Sequence, residues 1–374
     1  MFWLLLLSPI VFFFAFWYKR YLEADKPIIY GRHSSKFTHL VVSLPAVQKQ
    51  FFPTWWCPFG FAQTIARQFF RSRPTLSWRR EVYEHSDGGV QALDWLEPID
   101  ANEKTPLVFF LPGITGSTHD CSYIIHCAKD VVKQGWRCVV VNARGLGGVP
   151  LKTAKTYNAA YTDDFRDIVQ MSLQRYPDAK KMACGFSLGG MILWNYLAKH
   201  TRENCGLLAG MVISSPFDNF RSTASLETFW PRLFFNSHLA NCLKEVIFPY
   251  KELFEKHLDW ELLMKTNTIR GFDANFVVPM FGYNDWEHYY TEATLKTKVS
   301  RIPIPVLTLN SSDDCFAPID SLPLEEISQS ENVVAVVTKH GGHTAFMSHH
   351  DPNENGLVEP LLLDLASKVF SGDF

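Results

Sequence analysis

Gly185-Phe186-Ser187-Leu188-Gly189-Gly190 sets one serine among small residues, directly after the apolar run Met182-Ala183-Cys184 and before a helix-forming stretch, Met191 to Ala198. A serine hydroxyl becomes a useful nucleophile when a base takes its proton, and a sharp strand-to-helix turn makes it stand clear of the backbone. Such a turn crowds the positions two residues to either side, where Gly185 and Gly189 stand. Gly-x-Ser-x-Gly alone is a weak pattern; its placement between strand and helix gives it meaning. A base and an acid to orient it should then follow in the chain, each after a late strand. Asp313 and Asp314 follow Val306-Leu307-Thr308-Leu309, and His340-Gly341-Gly342-His343 follows Val333 to Val337. Ser187, Asp314 and His343 are therefore the expected nucleophile, acid and base of an acyl-enzyme mechanism. His343 is preferred to His340 because two glycines carry it further from the strand, and Asp313 is read as a cap on its loop.

A tetrahedral intermediate also needs donors for its oxyanion. Leu111-Pro112-Gly113-Ile114-Thr115-Gly116 directly follows the apolar run Leu107 to Phe110. The expected donors are the backbone N–H groups of Ile114 and Leu188. The histidines lack a His-x-x-x-His spacing, and no Gly-x-Gly-x-x-Gly follows a strand, so neither a metal nor a dinucleotide cofactor is expected. Formal charge is 36 minus 38, or −2, with no basic tail, which sets nucleic acid aside as a partner.

These groups must be held by elements, and from about Leu76 short apolar runs alternate with amphipathic stretches. The runs are Arg80 to Glu84, Val90 to Leu96, Leu107 to Leu111, Cys138 to Asn142, Met182 to Gly185, Leu208 to Ser214, Pro305 to Leu309 and Val333 to Val337. Thr162 to Leu173, Met191 to Ala198 and Leu361 to Phe370 carry helical periodicity. Strands separated by helices predict an α/β fold with a mostly parallel central sheet and helices on both faces. The segment from about 216 to 298 breaks that rhythm, is aromatic and rich in helix formers, and reads as a helical lid insertion. Its Phe229, Trp230, Leu233, Phe234, Phe235, Phe276, Met280 and Phe281 are expected to offer apolar surface to an acyl chain.

Upstream, Phe2 to Tyr18 is apolar apart from Ser8 and Pro9, and Lys19 and Arg20 follow at once. Residues 1–19 are read as an uncleaved transmembrane anchor, short for a bilayer core of about 30 Å. Lys19, Arg20 and Lys26 on its C-terminal side predict that the rest of the chain faces the cytoplasm. Residues 20–75 contain a second aromatic zone, Phe51 to Phe61 and Phe69-Phe70, with Arg67, Arg71 and Arg73. Two readings stand open for it: rings at headgroup depth on a membrane, or rings covering one face of the following domain. The hydrolase domain is placed at 76–374. The eight cysteines have no regular spacing and read as free thiols.

Leu-Pro-Gly-Ile-Thr-Gly, Ser86-Asp87-Gly88-Gly89, Asn142-Ala143-Arg144-Gly145, Gly-Phe-Ser-Leu-Gly-Gly-Met, Asn310-Ser311-Ser312-Asp313-Asp314 and His-Gly-Gly-His, behind an N-terminal anchor, resemble the membrane-anchored YheT-like α/β hydrolases, in particular α/β-hydrolase domain-containing proteins one and three. The resemblance spans nearly the whole chain. It implies the α/β-hydrolase fold, the triad Ser187, Asp314 and His343, and phospholipase A1-type hydrolysis of phosphatidylcholines. In many relatives the acid precedes two or three residues and a proline, here Cys315-Phe316-Ala317-Pro318, which favours Asp314 over Asp313. The expected partners are a membrane phospholipid substrate and the bilayer itself, in a single-pass protein of the endoplasmic reticulum. From the residues alone the reading is a serine hydrolase. An esterase or thioesterase acting on soluble acyl compounds, or a catalytically silent receptor or scaffold on the same fold, are the alternatives.

Overall fold

The computed structural model describes residues 11–19, 22 and 25–373. Its sheet contains β1 (Ile28–Tyr30), β2 (Arg79–Glu84), β3 (Val90–Leu96), β4 (Leu107–Leu111), β5 (Arg137–Val141), β6 (Lys181–Phe186), β7 (Ala209–Ile213), β8 (Val306–Ser311) and β9 (Val333–Thr338). Their order across the sheet is β1-β9-β8-β7-β6-β4-β5-β3-β2. The stretch from β9 to β5 is parallel, and β1, β3 and β2 join antiparallel at the two edges. Strand β4 has β5 on one side and β6 on the other, so chain connections diverge at its carboxyl end and leave a crevice there. Leu111 pairs with Gly185 across that boundary, which sets the loop after β4 beside the turn after β6.

Both faces of the sheet are apolar because its central strands alternate between two cores. Leu107, Phe109, Leu111, Val139 and Val141 enter one core, under α4 (Asp163–Arg175) and α5 (Leu188–Leu197). Val108, Phe110, Cys138 and Val140 enter the other, under α1 (Lys36–Ser43), α3 (Ser122–Lys133) and α6 (Val358–Ser371). The expected insertion is helical: short helices and turns, two of them π-helical, run from Asn219 to Arg301 between β7 and β8.

Of the segment 20–75, residues 25–75 are built into the same body. Strand β1 pairs with β9, and helix α2 (Gly60–Phe70) lies against the loop after β9. The aromatic zone divides its rings: Phe51 is buried beside Phe346, whereas Phe52, Trp55, Phe69 and Phe70 are exposed. Strand β1 escaped the sequence reading because three residues are too short to show an alternation. Of the expected anchor, residues 1–10 lie outside the described residues, and 11–19 are helical and mostly exposed. Among the described residues no helix is long and apolar enough to cross a membrane. Trp17 Nε1 donates to Trp55 O at 2.6 Å, and the Trp17 ring meets Phe59 edge-on.

Candidate active site

β6 ends at Phe186 and α5 begins at Leu188, so Ser187 occupies the turn alone. Its φ of 53° and ψ of −118° form a strained backbone conformation for a residue with a side chain. The surroundings hold it there. Ser187 N–H donates to Ile213 O at 2.8 Å, and Ser215 Oγ donates to Ser187 O at 2.7 Å. A Cβ at Gly185 would stand 2.5 Å from Gly189 O, and one at Gly189 would stand 2.2 Å from Leu111 O. Only glycine fits either place, as the motif predicts.

His343 Nε2 lies 2.8 Å from Ser187 Oγ, and His343 Nδ1 lies 2.9 Å from Asp314 Oδ2. Asp314 is buried, and its second oxygen accepts from Phe316 N–H at 2.8 Å, so the carboxylate has little freedom to turn. The Phe316 ring stacks on the imidazole with centroids 4.2 Å apart. In this arrangement the carboxylate holds the proton on Nδ1 and leaves Nε2 to accept the serine proton. Asp313 points elsewhere: it accepts from Gly60 N–H at 2.9 Å and Gly342 N–H at 3.0 Å and lies 3.2 Å from His340 Nδ1. It therefore clamps the histidine loop to α2.

Ile114 and Leu188, on the loops after β4 and β6, carry backbone N–H groups with no hydrogen-bond partner among the described residues. The neighbouring Gly113 N–H is taken by Tyr123 Oη at 3.1 Å, and the Tyr157 hydroxyl donates to Ile114 O. Two free donors beside a serine nucleophile are what a developing oxyanion requires. Behind this loop, Asn142 accepts from Thr118 N–H at 2.9 Å and donates to Asp94 at 3.0 Å, which holds the segment after Gly116. Arg144 pairs with Asp164 at 2.7 Å and with Asp87 at 2.8 Å, so the Ser-Asp-Gly-Gly and Asn-Ala-Arg-Gly motifs meet in a structural ion pair.

Ser187 and His343 line a cavity of about 880 Å³ between α2 and the insertion. Phe234 and Phe235 of the insertion line it, as expected, with Leu226, Leu239 and Ile65. The other rings named from the sequence go elsewhere. Phe276 is buried in the core, the Phe281 ring lies tilted against Tyr161 with centroids 5.5 Å apart, and Phe229, Trp230 and the Leu233 side chain are exposed. Asp273, which also lines the cavity, accepts from the Tyr290 hydroxyl at 3.1 Å, and burial pushes its carboxyl up to about 7. Among the described residues no group of His, Cys, Asp and Glu could hold a metal ion.

Sequence reasoning missed α2 as part of the site. Thr64 Oγ1 accepts from His343 N–H at 2.8 Å, and Gln63 brackets Met347 through its amide oxygen at 3.1 Å and nitrogen at 3.2 Å. Nothing local marks Thr64, because its partner stands 279 residues away.

Residues 106–350 match the family model described as the alpha/beta hydrolase fold. The chain belongs to the α/β-hydrolase family. It is 49% identical over 368 residues to "Protein abhd-3.2" of Caenorhabditis elegans, covering 98% of this chain and 97% of that one. It is 36% identical over 353 residues to the human "Phospholipase ABHD3", covering 92% of this chain and 85% of that one. Among solved structures, the Pyrococcus furiosus esterase Pf2001 superposes with a TM-score of 0.51 at 14% identity, covering 81% of this chain and 95% of that one, which speaks for the fold alone.

Proposed function

We propose that this α/β hydrolase is a membrane-anchored serine hydrolase that cleaves acyl esters of phospholipids, of the phospholipase A1 type, through Ser187, His343 and Asp314. One observation carries the reading: a relay of 2.8 and 2.9 Å whose Ser187 and His343 line a cavity that Leu226, Phe234, Phe235 and Leu239 of the insertion also line. His343 takes the Ser187 proton as Oγ attacks the ester carbonyl, and Ile114 and Leu188 N–H groups stabilise the oxyanion. The protonated His343 then gives its proton to the leaving alcohol, and water attacks the acyl-enzyme by the reverse route. The likeness to proteins named phospholipase supports a lipid ester as substrate, and the resemblance of the sequence motifs favours phosphatidylcholine.

The membrane part of the reading rests on sequence and exposed surface. Residues 1–19 are the proposed anchor, with the domain on the cytoplasmic face of the endoplasmic reticulum, on the strength of Lys19, Arg20 and Lys26. Phe69 and Phe234 both line the cavity and are exposed, so the cavity opens beside apolar rings. Protease added to sealed microsomes should digest the domain; protection would reverse the orientation. For activity, purified protein with medium-chain phosphatidylcholine should release fatty acid and lysophospholipid. Turnover confined to soluble esters or acyl thioesters would replace the phospholipase reading with that of a soluble-substrate esterase.

A further inference from the structure

The wall of the cavity beside Ser187 contains a buried cation that no carboxylate among the described residues matches. Arg67, on α2, is 5% exposed and lines the cavity. Its Nε and Nη1 are buried and have no hydrogen-bond partner among the described residues. Its guanidinium carbon stands 4.7 Å from the centre of the Tyr123 ring, which covers one face and leaves the donors unanswered. The contrast with the next turn of the chain is direct: Arg71 is equally buried but pairs with the Glu359 carboxylate. Desolvation, with Arg71 and Arg73 nearby, pushes the Arg67 guanidinium below its ordinary value. Buried charges are normally paired, and a planar guanidinium in the wall of a cavity is suited to an anion with several oxygens.

We propose that Arg67 binds the phosphodiester of a glycerophospholipid whose acyl ester lies at Ser187, and so selects phospholipids over neutral glycerides; the assignment rests on the phospholipase reading above. Position supports it. Arg67 stacks on Tyr123, the Tyr123 hydroxyl accepts from Gly113 N–H at 3.1 Å, and a Cβ on Gly113 would lie 3.5 Å from Ser187 Cβ. Arg67 is thus separated from the nucleophile by a short relay of contacts. In a glycerophospholipid a few bonds, roughly 7 Å when extended, separate the ester carbon from phosphorus. A fatty-acid carboxylate matches less well, because the acid is formed at Ser187 itself and its far end is alkyl. The remaining charges on this wall leave the phosphate a place. Arg73 is exposed, with Nε donating to Asp120 O at 3.0 Å, and the Asp120 carboxylate is occupied by the Ser117 hydroxyl. The Asp273 carboxyl also lines the cavity, from the insertion, and accepts from Tyr290.

The test compares two non-hydrolysable competitors with the same alkyl chains, a diether phosphatidylcholine and the corresponding diether glycerol, with decanoate as a third. Each is presented in the same detergent micelles to the full-length wild type, Arg67→Gln and Arg67→Lys, and inhibition of a soluble short-chain ester is read. The wild type should bind the phosphodiester about tenfold or more tightly than the neutral diether. That ratio should fall toward one in Arg67→Gln and partly return in Arg67→Lys. Both competitors occupy the same cavity of the same variant, so a general loss of packing cancels from the ratio. An unchanged ratio in Arg67→Gln overturns the proposal. So does a wild type with no preference for the phosphodiester, a result that needs no variant. Inhibition by decanoate that alone depends on Arg67 would also overturn it, making the site one for carboxylates. A wild type that shows the Arg67-dependent preference but hydrolyses no phospholipid would sustain the phosphodiester site while removing the phospholipase reading.

Discussion

Asp313 and Asp314 are chemically identical and adjacent, and their surroundings give them different work. Asp314 orients the imidazole, so Asp314→Asn should lower turnover by about 10⁴-fold with little change in melting temperature. Asp313 accepts from the Gly60 N–H with one oxygen and from the Gly342 N–H with the other, and an asparagine keeps only one accepting oxygen. Asp313→Asn should therefore cost about 1–3 kcal/mol of stability, with a smaller loss of turnover, in paired melting and kinetic measurements. The reverse ranking would move the acid by one residue. Asp273 offers a pH test. Its folded value of about 7 lies above the ordinary aspartate value, so the unfolded chain releases this proton first. The wild type then loses stability as pH rises from about 4 to about 7, at up to about 1.4 kcal/mol per pH unit. Asp273→Asn removes that loss, so its melting-temperature advantage should widen across the same window and level off above it. A pH-independent difference would show that the carboxyl titrates normally.

Among the elements, α2 holds His343 although it precedes the first long strand by a short connection only. A Cβ at Gly60 would fall 2.3 Å from Asp313 Oδ1, so Gly60→Ala should push the clamp away from the histidine loop. A displacement of that size is expected to lower turnover by about 10²-fold, read alongside the labelling rate of Ser187. The buried pair of Arg71 and Glu359 anchors the end of the same helix to α6. Arg71→Met should destabilise the fold by about 3–5 kcal/mol in denaturant titrations, because it leaves Glu359 buried and unpaired. What could be read from the sequence follows the range of the interactions. The eight longer strands, the Ser187 turn and the loops carrying Asp314 and His343 have local signatures in alternation, glycines and order. β1 is too short for a pattern, and Thr64 and Arg67 acquire their places only through contacts distant in sequence. The lid rings were visible as a group, but which of them face the cavity depends on how short helices pack, and Phe234 and Phe235 do so while Phe276 does not.

For the molecule as a whole, the sheet places Ser187, Asp314 and His343 at one end, the insertion and α2 wall the cavity, and exposed rings stand around them. Phe229 is 71% and Trp230 is 60% exposed, far more than a soluble ligand requires of a lid. If these rings enter a bilayer, replacing both with serine should reduce turnover on phosphatidylcholine vesicles more than turnover of a soluble ester. Equal losses would make them part of the lid's packing alone. Ser187 is the proposed covalent nucleophile, and its strained turn, its contact with His343 and its place in the cavity wall support that role. The most direct measurement is reaction of the full-length chain with a fluorophosphonate probe, followed by mapping of the modified peptide. The wild type should carry one adduct, on Ser187, and Ser187→Ala should carry none and release no fatty acid. An adduct or lipid hydrolysis that survives in Ser187→Ala would contradict the mechanism.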